Sequence, residues 1–284
     1  MSDGVYGQQS SAGESTLPTP NGQPLSLPFT GERIIPGKVG ETLFSEHEAR
    51  YIFAGQFVKN KRVLDVACGT GIGTSYLRKA GSEVCIGIDI DRSAIEYARA
   101  TYRDCTFEEG DASSLPLPDR SVDVVVSFET VEHITNPAAF LTECKRVLRD
   151  GGFLICSTPN REMVRWNANN PYHTREFTVA EFTELFGGIF SDVRFYSQKN
   201  TNRLTYAART LALRVVCQLN LKSLLMKVVG RSPDPIAARS EFQESDRPSG
   251  AEVRPYEPGE KWLRPLYFIA VGRKSGTDMR LNSL

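Results

Sequence analysis

Three carboxylates and a run of glycines in this chain are spaced as a ligand site. An apolar stretch ends on Asp65 in VLDVACGTGIGT (residues 63–74) and passes through Cys68, Gly69, Thr70 and Gly71; a second ends on Asp89 in GIDID (87–91), twenty residues after Gly69. A third acid, Asp111, follows with Ala112 in FEEGDA. The pattern reads as strand, glycine turn, helix and second strand, in which the turn exposes backbone to a ligand and the second strand's terminal carboxylate reaches a ribose. A further group follows another apolar run: F-E-T-V-E-H holds Glu129, Glu132 and His133. Steps of three and four would place these side chains on one face of a helical turn, where acids and an imidazole could move a proton or hold a metal.

Small departures select the ligand. Glycines at 69, 71 and 73 with threonine at 74 do not fit G-x-G-x-x-G, and no G-x-x-x-x-G-K-[ST] loop occurs. Asp65, at the mouth of the turn, would repel a diphosphate but attract the ammonium and sulfonium of S-adenosylmethionine.

From about Val63 to Arg194 the chain resembles the class I S-adenosylmethionine-dependent methyltransferases, on the glycine loop, FEEGDA, SVDVVVSFETVEHI and RVLRDGGFLICSTPN. The resemblance implies that Asp65, Ala67, Gly69 and Gly71 hold the methionine end, Asp89 and Ile90 the ribose, and Asp111 and Ala112 the adenine edge. Phe128 completes that cofactor set. The E-x-x-E-H element, with a later histidine in N-P-Y-H-T-R-E-F, is similar to that of the small-RNA 3′-end 2′-O-methyltransferases; the ubiquinone-biosynthesis O-methyltransferases share its first part. Carried over, this gives Glu129, Glu132, His133 and His173 as ligands of a divalent ion, Mg2+ or another, with His133 and Glu132 as the catalytic pair. A bound cation can lower an oxygen ligand's pKa by roughly eight units, which would activate an alcohol. Without a metal, His133 would serve as general base.

TGERIIPG, EHEARYIFA and NPYHTREFT with EFTELF resemble methyltransferases of sugar, surface-glycan and glycosylated natural-product biosynthesis. That implies a hydroxyl of a sugar or other polar small-molecule or glycan acceptor, with Arg33, Tyr51, Arg161 and Arg175 as substrate-binding residues and Arg165 a further arginine fork. Alternatives stay open: an RNA 2′-O-methyltransferase, a C- or N-methyltransferase, or a non-catalytic cofactor-binding protein. His47, in E-H-E-A-R-Y, reads as an ordinary helix-face histidine.

At 284 residues and 40% hydrophobic content the chain can bury one substantial core. Lys plus Arg equals Asp plus Glu at 34 each, so no global field concentrates a polyanion, which weighs against nucleic acid as partner. Six cysteines without a C-x-x-C pair read as buried thiols of a reducing compartment. No apolar run of about eighteen residues and no secretory layout are present, and the expectation is a cytoplasmic protein.

The elements must bring these groups together. Residues 1–28 are too polar to offset the entropy of folding and read as a disordered tail; 29–284 read as the methyltransferase domain. Within it, 29–60 form a helical cap, its amphipathic helix started by Ser45 and carrying Phe44, His47, Tyr51, Ala54 and Phe57. Strands are expected near 62–67, 83–89, 105–108, 121–128, 152–158, 190–198 and 266–274. Helices are expected near 72–80, 92–103, 137–148 and 178–187, with Gly151 and Gly152 as a left-handed C-cap. This alternation predicts a doubly wound α/β fold, a mostly parallel seven-stranded sheet with ligands at the strands' carboxyl ends and a helical insertion before the last strand. The insertion, 199–262, opens with six basic and no acidic residues over 200–231, as a basic amphipathic helix that packs as a lid or rests peripherally on an anionic membrane.

Overall fold

The computed structural model describes residues 15–18, 24–27, 33–35, 39–163, 172–202, 252–258 and 263–275. Helix α1 (Glu41–Gly55) leads into β3 (Arg62–Val66), α2 (Ile72–Lys79), β4 (Val84–Asp89), α3 (Arg92–Thr101), β5 (Thr106–Glu109) and β6 (Val122–Phe128). After a 3-10 turn at Val131–His133 come α4 (Pro137–Val147), β7 (Leu148–Pro159), α5 (Val179–Gly187), β8 (Ser191–Asn202), β9 (Val253–Pro255) and β10 (Leu263–Arg273). Every strand expected from residue 62 onward and the four helices expected between 72 and 187 are found, with ends moved by a few residues. β1 (Ser15–Pro18) and β2 (Pro24–Leu27) pair as an antiparallel hairpin within the segment 1–28 expected to be a disordered tail, whose other residues lie outside those described.

The sheet order is β5-β4-β3-β6-β7-β10-β8-β9. Strands β3 to β7 run parallel, while β10 enters antiparallel between β7 and β8. The eighth strand, β9, comes from the expected insertion and pairs with β8. Because β4 and β6 flank β3 on opposite sides, the chain reverses direction of winding at β3, and a crevice opens at its carboxyl end.

Strict alternation builds the two core layers. Val63, Val124, Val126 and Phe128 face α1 to α3, whereas Leu64, Val66 and Val125 face the layer containing Phe140, Phe182 and Phe186. Such near-continuous apolar strands belong to a parallel sheet covered on both faces. Local signals set the helix ends. Asp91 caps α3 by accepting from the Ala94 N–H, Asn136 caps α4 with Pro137 behind it, and Thr178 and Glu181 form a capping box on α5.

Two boundaries differ from expectation. Helix α1 starts after Gly40, not at Ser45, which is buried within it. Helix α4 ends at Val147, and Gly151, left-handed at φ 80°, bends the start of β7 instead of capping the helix. Leu148 already pairs with Val122, so the sheet claims those residues. The basic stretch at 203–229 and the lid or membrane contact expected of it lie outside the described residues. No helix among those described is long and apolar enough to cross a membrane. Cys68, Cys85, Cys105, Cys144 and Cys156 are free thiols.

Candidate active site

A cavity of about 350 Å³ occupies the crevice, within the range of small-molecule sites. The turn after β3 forms its floor. Ala67 and Gly69 are left-handed at φ 59° and 54°, and Gly71, at φ 80°, precedes α2. A Cβ on Gly69 would meet nothing within 4 Å, so this backbone faces open space. Gly71 has another reason to be glycine: a Cβ there would fall 2.8 Å from Ala98 and the Phe107 ring. Gly73 lies beneath Tyr51, whose ring a Cβ would strike at 2.0 Å. A left-handed alanine costs of order 1 kcal/mol or more, and such strain collects at ligand sites.

Asp89, Ile90, Gly110, Asp111 and Ala112 wall one end. Asp89 accepts from the Gly69 and Asp91 N–H groups at 2.8 and 2.9 Å, which ties the loop to β4. A carboxylate has about four lone-pair sites, so two hydroxyls could still be accepted. Ile90, 73% exposed at the rim, offers apolar surface to a flat ring.

Asp65 is placed differently from the expectation. It does not line the cavity but lies wholly buried below it, accepting from Thr74 Oγ1 at 2.6 Å and from the Tyr51 hydroxyl at 3.1 and 3.2 Å. Alternation along β3 sends its side chain, like that of Val63, towards α1 and α2. Burial pushes its carboxyl up to about 7, against hydrogen bonds from Thr74 and Tyr51 that pull it down. The acids that do line the cavity are Asp89, Asp111 and Glu129.

Phe128, Glu129, Thr130, His133 and Ile134 wall the other end. Glu129 is left-handed (φ 52°), and the helical geometry begins only at Val131, so the single helical face expected for Glu129, Glu132 and His133 is not formed. Glu129 instead accepts from Ser157 Oγ at 2.6 Å. Glu132, His133 and His173 do converge, each with a ligand atom within 4.8 Å of the others; Glu129 stands outside that set. Glu132 is buried, its Oε2 accepting from Thr158 and its Oε1 without a partner. Burial, and then the charge of Glu129, holds its carboxyl well above the usual range.

The histidines are aligned by their neighbours. His133 Nδ1 lies 3.0 Å from the Tyr172 carbonyl, and His173 Nδ1 lies 3.1 Å from Glu176 Oε1. A carbonyl or carboxylate can only accept, so Nδ1 carries a hydrogen in both rings. Metal-ligating histidines are held in this way.

Of the expected substrate residues, Arg33 and Tyr51 line the cavity. Arg33 pairs with Asp91 at 2.6 Å, and the Ile34 carbonyl accepts from Thr70, which fastens residues 33–35 over the glycine loop. Arg161 and Arg175 do not reach the cavity; they face Glu181 at 3.1 and 3.9 Å, drawn to the acid of the α5 capping box. Arg165 lies outside the described residues. His47, read as an ordinary helix-face residue, lines the cavity beside Tyr51. Its signal was the three- and four-residue step to Arg50 and Tyr51, which gives all three one face of α1.

Residues 64–156 match the sequence family described as "Methyltransferase domain". A Mycolicibacterium smegmatis protein named "Probable S-adenosylmethionine-dependent methyltransferase" is 43% identical over 169 residues, 58% of this chain and 65% of its own length. A ubiquinone biosynthesis O-methyltransferase of Cereibacter sphaeroides is 37% identical over 109 residues, 35% of this chain and 42% of its own. The chain thus spans just under two thirds, or less, of the curated relatives it matches. The crystal structure of a Thermotoga maritima S-adenosylmethionine-dependent methyltransferase superposes with a TM-score of 0.53 at 16% identity, covering 82% of this chain and 93% of that one. The fold is the Rossmann-like α/β fold of methyltransferases. Its central part, residues 64–156, matches a methyltransferase domain and is similar to proteins named as S-adenosylmethionine-dependent methyltransferases.

Proposed function

We propose that this protein is an enzyme that transfers a methyl group from S-adenosylmethionine to a hydroxyl of a sugar or other polar small-molecule or glycan acceptor. One observation carries the reading: a single cavity joins the open glycine cradle and the Asp89–Ala112 wall to the imidazole of His133, held at Nδ1 by the Tyr172 carbonyl. The cofactor fits the residues present. Open space above Gly69 admits it against backbone, exposed Ile90 gives its base an apolar face, Asp89 retains acceptor sites for ribose hydroxyls, and Asp111 and Ala112 lie where a base edge would be read. Bound there, S-adenosylmethionine supplies an electrophilic methyl on a sulfonium.

The chain's own residues do the rest. His133, oriented through Nδ1 by the Tyr172 carbonyl, presents Nε2 as acceptor for the hydroxyl proton as the oxygen attacks. Glu129 supplies negative charge that favours a cation in the cavity and an imidazolium beside it. Arg33 and residues 33–35 close one side and exclude water.

A divalent metal, Mg2+ or another, would be held by Glu132, His133 and His173. The partnerless buried Oε1 of Glu132 and the two Nδ1-anchored histidines favour this second reading. Such an ion would lower the pKa of an acceptor hydroxyl. Its donor set, two imidazoles and one carboxylate, resembles that of Fe, Mn or Zn sites more than an all-oxygen Mg2+ cage.

Transfer of labelled methyl from S-adenosylmethionine to a panel of sugar nucleotides and glycosides tests the proposal, with metal analysis before and after chelation. Labelling of a hydroxyl that fails in His133→Ala is the expected result. Absence of donor binding by calorimetry would overturn the reading.

A further inference from the structure

Two of the free thiols stand side by side on neighbouring strands. β4 and β5 pair in parallel, with Ile86 opposite Thr106 and Gly87 opposite Phe107. One step back along both strands, the same register brings Cys85 beside Cys105. Side chains two residues apart on a strand share a face, so Cys85 follows Gly87 and Cys105 follows Phe107. That face is common to both strands, since a Cβ on Gly87 would fall 2.7 Å from the Phe107 ring. Cys85 accordingly belongs to the core beneath α1 to α3, and Cys105 packs against it. Cys105 Sγ lies 3.8 Å from the Thr74 carbonyl in the first turn of α2.

The spacing suits a bridge. Neighbouring strands run about 4.8 Å apart, inside the range of about 4.4–6.8 Å between the Cα atoms of a disulfide. Cys105 precedes the first residue of β5, and β5 is the edge of the sheet, so the backbone there can adjust without breaking a second ladder. The two thiols differ in access. Cys85 is 2% exposed, whereas Cys105 is half-buried. Cys85 hydrogen-bonds to Cys105, and that bond, and then burial, pushes the Cys85 thiol up and keeps it protonated. A reagent arriving from solvent therefore meets Cys105 first, with Cys85 directly behind it. Neither residue lines the cavity, so the proposed methyl transfer makes no use of them.

We propose that Cys85 and Cys105 form an oxidisable dithiol, a modification site for hydrogen peroxide that closes to a disulfide between β4 and β5. The Cys105 thiolate attacks one peroxide oxygen and the O–O bond breaks. The leaving hydroxide takes the proton the thiol had given up and departs as water, which leaves a sulfenic acid on Cys105. The Cys85 sulfur then attacks the Cys105 sulfur; the S–O bond breaks, and a second water leaves with the Cys85 proton. Both thiols are oxidised and the peroxide is reduced to water. The bridge fastens the edge strand whose far end leads into Gly110, Asp111 and Ala112 of the cavity wall. This inference is independent of the identity of the methyl acceptor.

Titration of the full-length protein with hydrogen peroxide tests it, followed by thiol blocking in acidic denaturant and tryptic mass spectrometry. Residues 80–92 and 104–120 are separate tryptic peptides, each with a single cysteine. At roughly stoichiometric peroxide they are expected as one bridged species, lighter than their sum by the hydrogens lost, which dithiothreitol separates. Cys85→Ser should leave Cys105 as a sulfenic acid that dimedone captures, and Cys105→Ser should leave Cys85 reduced. Wild-type protein in which Cys105 is oxidised without joining Cys85 overturns the proposal. So does a bridge from Cys105 to any other cysteine, or a Cys85 and Cys105 pair that stays reduced until the protein unfolds; none of these outcomes depends on a variant that folds.

Discussion

Replacing Gly73 by alanine should have opposite effects on stability depending on what stands at position 51. A Cβ built on Gly73 falls 2.0, 2.2 and 2.4 Å from three atoms of the Tyr51 ring, the Cζ and both Cε atoms. Tyr51 is only 5% exposed; it is held by Asp65 and packs edge-on against Phe128 at 5.0 Å, so it cannot swing aside freely. Overpacking of this kind costs about 1–3 kcal/mol. Against it stands a gain of about 0.5–1 kcal/mol from replacing glycine inside a helix, since Gly73 lies in the first turn of α2. Gly73→Ala alone should therefore destabilise by up to about 2 kcal/mol. In a Tyr51→Leu background, which lacks the clashing ring atoms, the same change should be neutral or stabilising by up to about 1 kcal/mol. The coupling of about 2 kcal/mol exceeds the error of additivity, about 0.5 kcal/mol. Urea unfolding of the wild type, both single variants and the double variant measures it. An equal cost of Gly73→Ala in both backgrounds would refute the claim that the Tyr51 ring occupies the space a side chain at 73 needs.

Asp65 should set part of the pH dependence of stability. Its folded pKa of about 7 lies about 3 units above its ordinary 3.8, so the native state holds a proton that the unfolded chain releases. Stability should fall as pH rises from about 4 to 7, by up to about 4 kcal/mol from this group, and Asp65→Asn should flatten that slope; an unchanged slope would count against the buried placement. Metal uptake should release protons, because a ligating Glu132 must give up the proton that burial favours. Pot titrations in weakly buffered solution should show it, and Glu132→Ala should abolish uptake while Glu129→Ala leaves it largely intact. Asp89→Ala should weaken donor binding at least roughly tenfold, since it removes a ribose acceptor and releases the Gly69 N–H. Arg161→Ala and Arg175→Ala should change acceptor KM less than about threefold, the scale of an exposed ion pair; a larger rise would place them at the acceptor after all.

The sequence by itself determined the order of the elements from β3 to β8, the last strand β10, and the location of the candidate site. Apolar runs such as VDVVVSF can only be strands covered on both faces, and the acid or glycine ending each run falls at the carboxyl edge where a parallel sheet opens a crevice. Caps at Asp91, Asn136 and Thr178 are local, with donor and acceptor within three residues, whereas the caps expected at Ser45 and at Gly151 and Gly152 did not form. Contacts between distant segments were not readable. Spacing put Glu129, Glu132 and His133 together, but the backbone turns left-handed at Glu129, and Ser157 on the neighbouring strand takes its carboxylate. Asp65 seemed to sit at the rim until Tyr51, from a helix fourteen residues earlier, covered it. Arg161 and Arg175 looked like anion forks until α5 presented Glu181 to them. Arg50 meets Gln198 and Tyr267, both well over a hundred residues away. Periodicity fixes which way a side chain leaves its own strand or helix, whereas the partner it meets there, and hence its charge state and role, is decided only when the sheet brings remote strands into register.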